Sequence, residues 1–224
     1  FGGPNNTISN APISSADAQV VVYNQKGYFE NNGIETMQML EAVPKLAKTP
    51  WLVPAGQAYH ISLDPNVTDT RIIAYTYLHR DVPEGYEHTL SLYFLPDGAE
   101  KWQRLETDRY VENLVVANLE GENGTYAVMA AVEMPPLNPG WNLFTYPIPG
   151  SRPITEALAS LTTTYTVQEA LPPFDIPTTN TNDDTVDSFD FGRIYWIWLD
   201  GNASMTPFLA PPIKLPDGTF TGQR

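Results

Sequence analysis

Short runs of β-branched and aromatic residues, separated by turn residues at intervals of about ten, constrain the fold of this chain most strongly. The clearest runs cover residues 70–78, 89–95 and 125–132, and they alternate without a sustained helical period. Residues 121–124 (GENG), just before the last of these runs, predict a hairpin turn. Proline (21 residues) and glycine (15 residues) are abundant and fall between the runs. This pattern predicts a mainly β chain, with an Ig-like or jelly-roll-type antiparallel β-sandwich over residues 17–134.

Two aromatic stretches predict a second, smaller module over residues 139–204, after a proline-rich connector at 135–139. Residues 140–147 (GWNLFTYP) and 191–198 (FGRIYWIW) are bounded by glycine or proline and contain three of the five tryptophans. We expect them to form strands that pair or stack in the core of this module. Residues 153–161 predict one short helix with Ser151 as its N-cap, and Ile154, Leu158 and Leu161 share one face of it.

The two ends of the chain are polar or proline-rich. Residues 1–16 predict an arm or linker, and residues 205–224 predict an extended tail. The first apolar strand, at residues 18–23, could pair within its own domain or with a neighbouring subunit, because an unpaired strand is a template for another chain. The start at Phe1, with no initiator Met or signal peptide, indicates a processed or excised segment.

The charge balance disfavours several classes of partner. The chain has 26 acidic and 12 basic residues, which gives a formal charge of −14. Such a surface repels nucleic-acid phosphate and anionic membranes, and no apolar run is long enough to predict membrane insertion. The absence of cysteine excludes disulfides, thiol nucleophiles and cysteine-ligated metals.

Parts of the chain resemble secreted bacterial cell-surface proteins over roughly residues 70–200. A strand at 89–95, a W-x-x-L strand from Trp102 to Leu105 and a G-x-Y-A-x-M strand from Gly124 to Met129 are similar to a recurrent extracellular sandwich pattern. The GWNL…YP, RP-x-x-EAL and FGR-x-YWI segments at 140–147, 152–158 and 191–197 resemble modules near the C-termini of large secreted proteins. The resemblance implies an extracellular, cell-surface location and a β fold, and it implies no activity.

No residue pattern in the sequence specifies catalysis. His60, His79 and His88 lack HExxH-type spacing, although His79 and His88 flank a turn and could supply two zinc ligands. Ser151 is not in a nucleophile elbow, and no pair of carboxylates stands out for glycoside hydrolysis. We therefore assign no catalytic, cofactor-binding or metal-ligating residue, and we expect that the chain is not an enzyme.

Two loops could bind a hard cation, and four sequons could accept glycans. The loop from Asn180 to Asp187 (NTNDDTVD) is rich in oxygen donors of the kind that Ca²⁺ prefers, and the loop from Asp64 to Asp69 is a weaker candidate. Solvated turns are the commoner explanation for both loops. N-x-S/T sequons lie in predicted loops. Their asparagines are Asn5, Asn66, Asn123 and Asn202.

These observations predict a non-catalytic extracellular structural protein of a cell-surface layer, sheath or filament. Its partners would be other copies of itself or other cell-surface proteins, and its copies could be linked by terminal strand addition. The alternative is a carbohydrate-binding or accessory module of a secreted hydrolase, in which an exposed row of aromatic side chains would bind glycans. The tryptophans at 196 and 198 point to one face, so a core position for that face would exclude such a row.

Overall fold

A computed structural model describes residues 12–24, 33–46, 48–66, 70–109, 111–178 and 186–221 of this chain. The structure divides into two compact units. Both units are built mainly from antiparallel strands, and the second contains one short α-helix. The predicted fold class, an antiparallel β-sandwich and a small β-rich module with one short helix, is confirmed. None of the helices in the described ranges is long and apolar enough to span a membrane.

The first unit consists of two five-stranded sheets. Its strands form because alternating apolar side chains can be buried on one face of each sheet. The first sheet has the order β1 (Ile13–Ser14), β2 (Val20–Asn24), β5 (Arg71–Thr76), β9 (Leu114–Leu119), β8 (Thr107–Asp108). The second sheet has the order β3 (Ile34–Met39), β4 (Val53–Leu63), β10 (Gly124–Ala130), β6 (Leu90–Pro96), β7 (Gln103–Arg104).

Side chains between the two sheets form the sandwich core. Tyr59 on β4 and Tyr75 on β5 meet edge to face, with their ring centroids 5.6 Å apart. The Tyr75 hydroxyl donates a hydrogen bond to the Gln57 carbonyl (2.7 Å), so this buried polar group is satisfied. Burial raises the pKa of Tyr75 well above its ordinary value, which keeps the phenol neutral.

The turn at residues 121–124 differs from its prediction. The sequence predicts a hairpin there, but β9 and β10 belong to different sheets, so this turn carries the chain from one sheet to the other. The Leu63 N–H donates to the Asn123 side-chain oxygen (2.8 Å), and the Asp97 N–H donates to the Asn123 carbonyl (3.2 Å). These contacts tie the turn to the second sheet. Gly124 lies so close to Phe94 and Leu95 that a Cβ atom would be 2.4 Å from the Leu95 carbonyl oxygen.

The first described residues form a hairpin inside the first unit. β1 pairs with β2, and β2 pairs with β5, from Val20–Tyr75 to Asn24–Arg71. Val20 and Val22 are fully buried. The strand predicted at residues 18–23 therefore pairs within its own chain, and Ile13–Ser14 is a strand rather than part of an arm. Residues 1–11 of the predicted arm lie outside the described residues.

The Asp17 carboxylate accepts several hydrogen bonds in the turn between β1 and β2. These bonds predict that the stability of the fold depends on pH. Burial raises its pKa, but donation from the Ser15 and Tyr59 hydroxyls and from the Gln19 N–H outweighs burial and sets the pKa below its ordinary value. A lowered pKa contributes stability above the unfolded-state value, about 4, and this stability is lost as pH falls through the folded-state value.

We expect Asp17→Asn to be less stable than the wild type at pH 7, because the amide cannot accept as a carboxylate does. The difference should begin to shrink below about pH 4, where the carboxyl of the unfolded chain becomes protonated, and should continue to shrink as pH falls through the lowered pKa of the folded state. Urea unfolding at pH 7 and pH 3 measures both differences. A stability difference that stays constant over this range would contradict the assignment. Tyr59→Phe, which removes one donor, should lower stability at pH 7 in the same direction.

The second unit has three small antiparallel sheets around an aromatic core. Phe189 is in contact with the rings of Phe144, Tyr146 and Tyr195, with centroid distances of 5.4, 5.2 and 4.7 Å. The sheets are β12 (Gly140–Thr145), β16 (Ile194–Leu199), β14 (Tyr165–Glu169); β11 (Val132–Glu133), β17 (Phe208–Leu209); and β13 (Ser151–Pro153), β15 (Ser188–Asp190), with the helix α1 at Ile154–Ala157.

The helix is shorter than predicted, and the prediction of Ser151 as its N-cap is wrong. It spans Ile154–Ala157 and continues as turns through residue 160, while Ser151 is part of β13. Pro153 occupies the cap position without a side-chain hydrogen bond. Pairing of Ser151 with Asp190 takes this serine out of the cap position. The predicted apolar face is nevertheless buried in the second core through Ile154, Leu158 and Leu161.

The C-terminal segment is part of the second unit rather than an extended tail. β17 pairs with β11, Leu209 is fully buried, and Met205 bridges to Leu137. The Arg152 guanidinium donates to the Ala210 carbonyl (2.6 Å) and fixes the chain after β17. An extended backbone with few apolar residues can still add to a sheet, because the sheet bonds its main chain.

The units also differ from the predicted domains 17–134 and 139–204. The largest segment of the second unit begins at Ala130. The unit also includes two earlier segments, Thr49–Val53 and Val82–Thr89. Tyr86, in the second of these segments, packs against the aromatic core. Residues in the predicted connector are also part of this core, since Leu137 is buried in it. A single boundary at a proline-rich stretch could not predict that two earlier segments belong to the second unit.

Candidate functional site

The three-stranded sheet β12–β16–β14 contains the candidate site. β12 pairs with β16 over six consecutive residue pairs, from Gly140–Leu199 to Thr145–Ile194. β14 pairs with the other side of β16, from Tyr165–Leu199 to Glu169–Tyr195. The two aromatic stretches of the sequence therefore pair as predicted. This pairing leaves β12 and β14 as the two edge strands of the sheet.

Large apolar side chains occupy both faces of this sheet. Tyr195, Ile197 and Leu199 of β16 are members of the aromatic core. Because successive side chains point to opposite faces, the alternate residues of β16 lie on the other face, together with their partners on β12. We call this the outer face. It consists of Trp141, Leu143, Ile194, Trp196 and Trp198.

The outer face is only partly covered. Leu143 is 53% exposed, and Trp141 and Trp198 are half-buried. Trp141 and Trp198 meet edge to face, with centroids 5.5 Å apart and ring planes at 69°. Trp196 is buried, and its indole N–H has no hydrogen-bond partner among the described residues. Trp196 and Trp198 share a face as predicted, but that face is opposite to the aromatic core.

The edge of β12 presents unpaired main-chain groups. The Tyr146 N–H donates to the Arg193 carbonyl (3.1 Å), which extends the ladder between β12 and β16. Hydrogen-bonded pairs alternate along an antiparallel ladder, so the N–H and C=O groups of Trp141, Leu143 and Thr145 point away from β16. No hydrogen bond joins these outward groups to the rest of the described chain. We call them the open edge.

A groove runs along the open edge. It has a volume of about 510 Å³ and lies between β12 and the segment at residues 132–137. Its walls include Leu143 and Phe144 on one side and Val132, Pro135 and Leu137 on the other. Among the described residues of this lining, Glu133 is the one with a charged side chain. An apolar groove beside unpaired main-chain groups is the arrangement in which a sheet binds an added strand.

The other long edge strands in the described ranges are protected against such pairing. Sheet edges are usually protected by short strands, charges, prolines or bulges. β3 has Glu35 and a register shift between Ile34 and Thr36. β14 ends at Glu169, β13 contains Pro153, and the remaining edge strands have two or three residues. β12 has six residues, no charge and no register shift, so it lacks all of these devices.

The β14 side of the sheet has a different electrostatic character. Arg193 forms ion pairs with Glu169 and Asp190. Hydrogen bonding to Glu169 raises the Arg193 pKa above its ordinary value. A second groove of about 260 Å³ lies beside β14, and Asp187 is the carboxylate in its lining. Each groove has one carboxylate among its described lining residues.

The three histidines considered from the sequence lie in different elements of the structure. His60 Nε2 lies 3.0 Å from Asp97 Oδ1, and His79 Nε2 lies 3.3 Å from Glu112 Oε1. His88 is in a short 3₁₀-helix at Glu87–Thr89. Among the described residues, no three His, Asp or Glu side chains are grouped to hold a metal ion.

The predicted cation loops are described only in part. Asp64 accepts hydrogen bonds from the backbone and side chain of Asn66 (2.9 and 2.8 Å), which is the geometry of a local turn. Those bonds lower the Asp64 pKa. Residues 67–69 of the first loop lie outside the described residues. Residues 179–185, which include most of the Asn180 to Asp187 loop, also lie outside them. The zinc and calcium hypotheses therefore stay predictions.

The sequon asparagines Asn66, Asn123 and Asn202 are exposed, whereas Asn5 lies outside the described residues. Exposure allows a glycan at each of these three positions.

Comparison with known proteins adds no relative. Searches against protein-family models, curated proteins and solved structures found no match to this chain.

The open edge is the feature that the sequence did not single out. The sequence shows that residues 140–145 are an uncharged strand, and this is the signal that could have been used. It does not show which neighbours β12 has, because the order β12–β16–β14 brings together strands that are distant in the chain.

Proposed function

We propose that this chain is a non-catalytic extracellular structural protein whose copies assemble into a cell-surface layer, sheath or filament. The open edge of β12 is the observation that carries the proposal. A six-residue strand with outward main-chain groups, no charge and an apolar groove is suited to strand addition. The acidic surface elsewhere, with a formal charge of −14, keeps copies apart except where an uncharged contact is available.

The test is the assembly state of the purified full chain. We expect size-exclusion chromatography with light scattering to show concentration-dependent association, and negative-stain electron microscopy to show ordered assemblies. Monodisperse monomers across the concentration range would overturn the proposal. A parallel sample with a chelator separates two forms of it, since assemblies that dissolve on chelation require a cation and those that persist do not.

Whether residues 1–11 take part in assembly is tested by deleting these residues alone. A deletion through residue 23 would remove β1 and most of β2, including the buried Val20 and Val22. A deletion of residues 1–11 leaves the described hairpin intact. Assemblies that persist in this variant would exclude these residues as the donated strand.

A second candidate function is glycan binding, which the partly exposed tryptophans favour. Trp141 and Trp198 are available on the outer face, and aromatic rings are good stacking surfaces for sugars. Their ring planes differ by 69°, so they offer two separate stacking surfaces rather than one flat platform. Trp198→Ala should abolish binding to a glycan array if this function is correct. Array binding that is unchanged in Trp198→Ala would count against it.

A further inference from the structure

We infer that the guanidinium of Arg152 and the hydroxyls of Tyr86 and Tyr146 form a binding site for a small organic carboxylate. The site lies within the second unit, since all three residues belong to it. None of the three residues lines the groove along the open edge. The inference therefore goes beyond the proposed assembly function and does not depend on it.

Strand pairing places the Arg152 side chain on the same side of its sheet as Tyr146. In the pair of β13 and β15, Arg152 lies directly opposite Phe189. The side chains of directly opposed residues lie on the same face of a sheet. The Phe189 ring stacks on the Tyr146 ring, with centroids 5.2 Å apart and ring planes at 22°. The Arg152 side chain therefore begins on the face against which Tyr146 packs.

The charge of Arg152 acts on both phenols. Burial raises the pKa of Tyr146, and the positive charge of Arg152 offsets part of this rise. The same two effects, in the same order of size, act on the pKa of Tyr86. Tyr86 and Tyr146 also interact with each other. The guanidinium and the two hydroxyls therefore form one electrostatic cluster.

The Tyr146 hydroxyl has no hydrogen-bond partner among the described residues, although Tyr146 is 1% exposed. Its ring is held in place by contacts with Phe144 and Phe189. Its main chain is also fixed, since its N–H donates to the Arg193 carbonyl and its carbonyl accepts from the Gly192 N–H. A buried hydroxyl without a partner costs free energy, and such groups are rare in folded proteins. An unpartnered hydroxyl at a rigid position therefore indicates a partner from outside the chain.

Arg152 also has donors to spare. It donates to the main-chain carbonyls of Ala210 (2.6 Å) and Pro211 (3.5 Å), and within the described part of the chain it forms no ion pair with a carboxylate. A guanidinium has more N–H donors than these two bonds use. The chain has 26 acidic residues, so a half-buried arginine that pairs with none of the described ones is a distinct local feature.

The chemistry of these three groups selects the ligand. A guanidinium can only donate hydrogen bonds, and a phenol can donate one. An ionised carboxylate only accepts, and it bonds a guanidinium through two parallel hydrogen bonds. The positive charge of Arg152 disfavours an amine or a metal ion at the same place. Tyr86 and Arg152 are half-buried and the Tyr146 hydroxyl is fully buried, so the ligand has to be small.

The test compares thermal unfolding of the full chain at pH 7 in sodium acetate and in sodium chloride at equal ionic strength. A ligand that binds only the folded state raises Tm, so acetate at about 100 mM should raise the wild-type Tm by at least about 2 °C relative to chloride. Tyr146→Phe and Tyr86→Phe, which remove one hydroxyl each, should lose most of this shift. Tyr165→Phe is the matched control and should keep the shift, because Tyr165 is half-buried in the same unit and burial alone raises its pKa.

Stability without a carboxylate gives an independent readout. In chloride, Tyr146→Phe should be at least as stable as the wild type, because removing an unpartnered hydroxyl loses no hydrogen bond. A clear loss of stability there would show that the hydroxyl has a partner within the protein, and would overturn the site. Equal wild-type Tm values in the two salts, or an acetate shift that Tyr146→Phe retains, would also overturn it.

A larger probe identifies the source of the carboxylate. N-acetyl-glutamate amide carries the same group at the end of a residue-sized molecule. A Tm shift with acetate alone would assign the site to a free small acid. Shifts with both probes, each lost in Tyr146→Phe, would assign it to the acidic side chain of a partner.

Discussion

Replacing Gly124 by alanine is expected to destabilise the first unit by about 3 kcal/mol. A Cβ atom at this position would be 2.4 Å from the Leu95 carbonyl oxygen and 2.5 Å from the Phe94 ring. The carbonyl is part of β6 and the Phe94 ring is buried, so neither can move away at low cost. Chemical denaturation followed by circular dichroism measures the loss.

Gly121→Ala is the matched control for this prediction. Gly121 lies in the same turn, and a Cβ atom there would meet no other atom within 4 Å. Its effect should stay within about 0.5 kcal/mol, as for most surface substitutions. Equal effects at the two positions would show that the close approach of Gly124 to β6 does not limit stability.

Replacing Phe189 by alanine is expected to lower the free energy of unfolding of the second unit by about 3–5 kcal/mol. Phe189 is fully buried, and its ring contacts Phe144, Tyr146 and Tyr195. Its removal leaves a cavity among rigid rings and also loses the aromatic pair interactions. Denaturant unfolding monitored by near-UV circular dichroism measures this loss, because ordered aromatic side chains such as Tyr146 and Tyr195 contribute to the signal.

Phe191→Ala provides the comparison, because it removes the same ring two residues further along the chain. Phe191 is 60% exposed, so its removal creates no cavity in the aromatic core and should cost less than about 1 kcal/mol. A loss at Phe191 as large as the loss at Phe189 would mean that the stability of this unit depends on its surface aromatics rather than on its core.

Local patterns predicted the strands well because they depend on neighbouring residues. The pairing of residues 140–145 with 194–199 followed from two aromatic runs bounded by glycine or proline. The hairpin predicted at 121–124 was wrong, because local turn residues show where a strand ends but not which sheet the next strand joins. The prediction of an extended C-terminal tail was wrong, because one buried leucine, Leu209, and main-chain pairing are enough to hold a short strand.

The candidate site could not be predicted because it depends on the strand order. Both faces of β16 have large apolar residues, with Tyr195 and Ile197 on one and Trp196 and Trp198 on the other. Alternation shows that such residues lie on opposite faces but not which face is the core. The open edge of β12 exists only because β16 lies between β12 and β14.

The shared use of segments by the two units has a consequence during synthesis of the chain. Thr49–Val53 and Val82–Thr89 leave the ribosome well before Ala130, yet they belong to the later unit. The first unit has all of its residues once position 129 has emerged, while these two segments must wait for the residues of the aromatic core, the last of which is Leu209. Their apolar residues, such as Tyr86, have no core to join in this interval. Chaperones that bind exposed apolar segments would therefore find targets in these two segments.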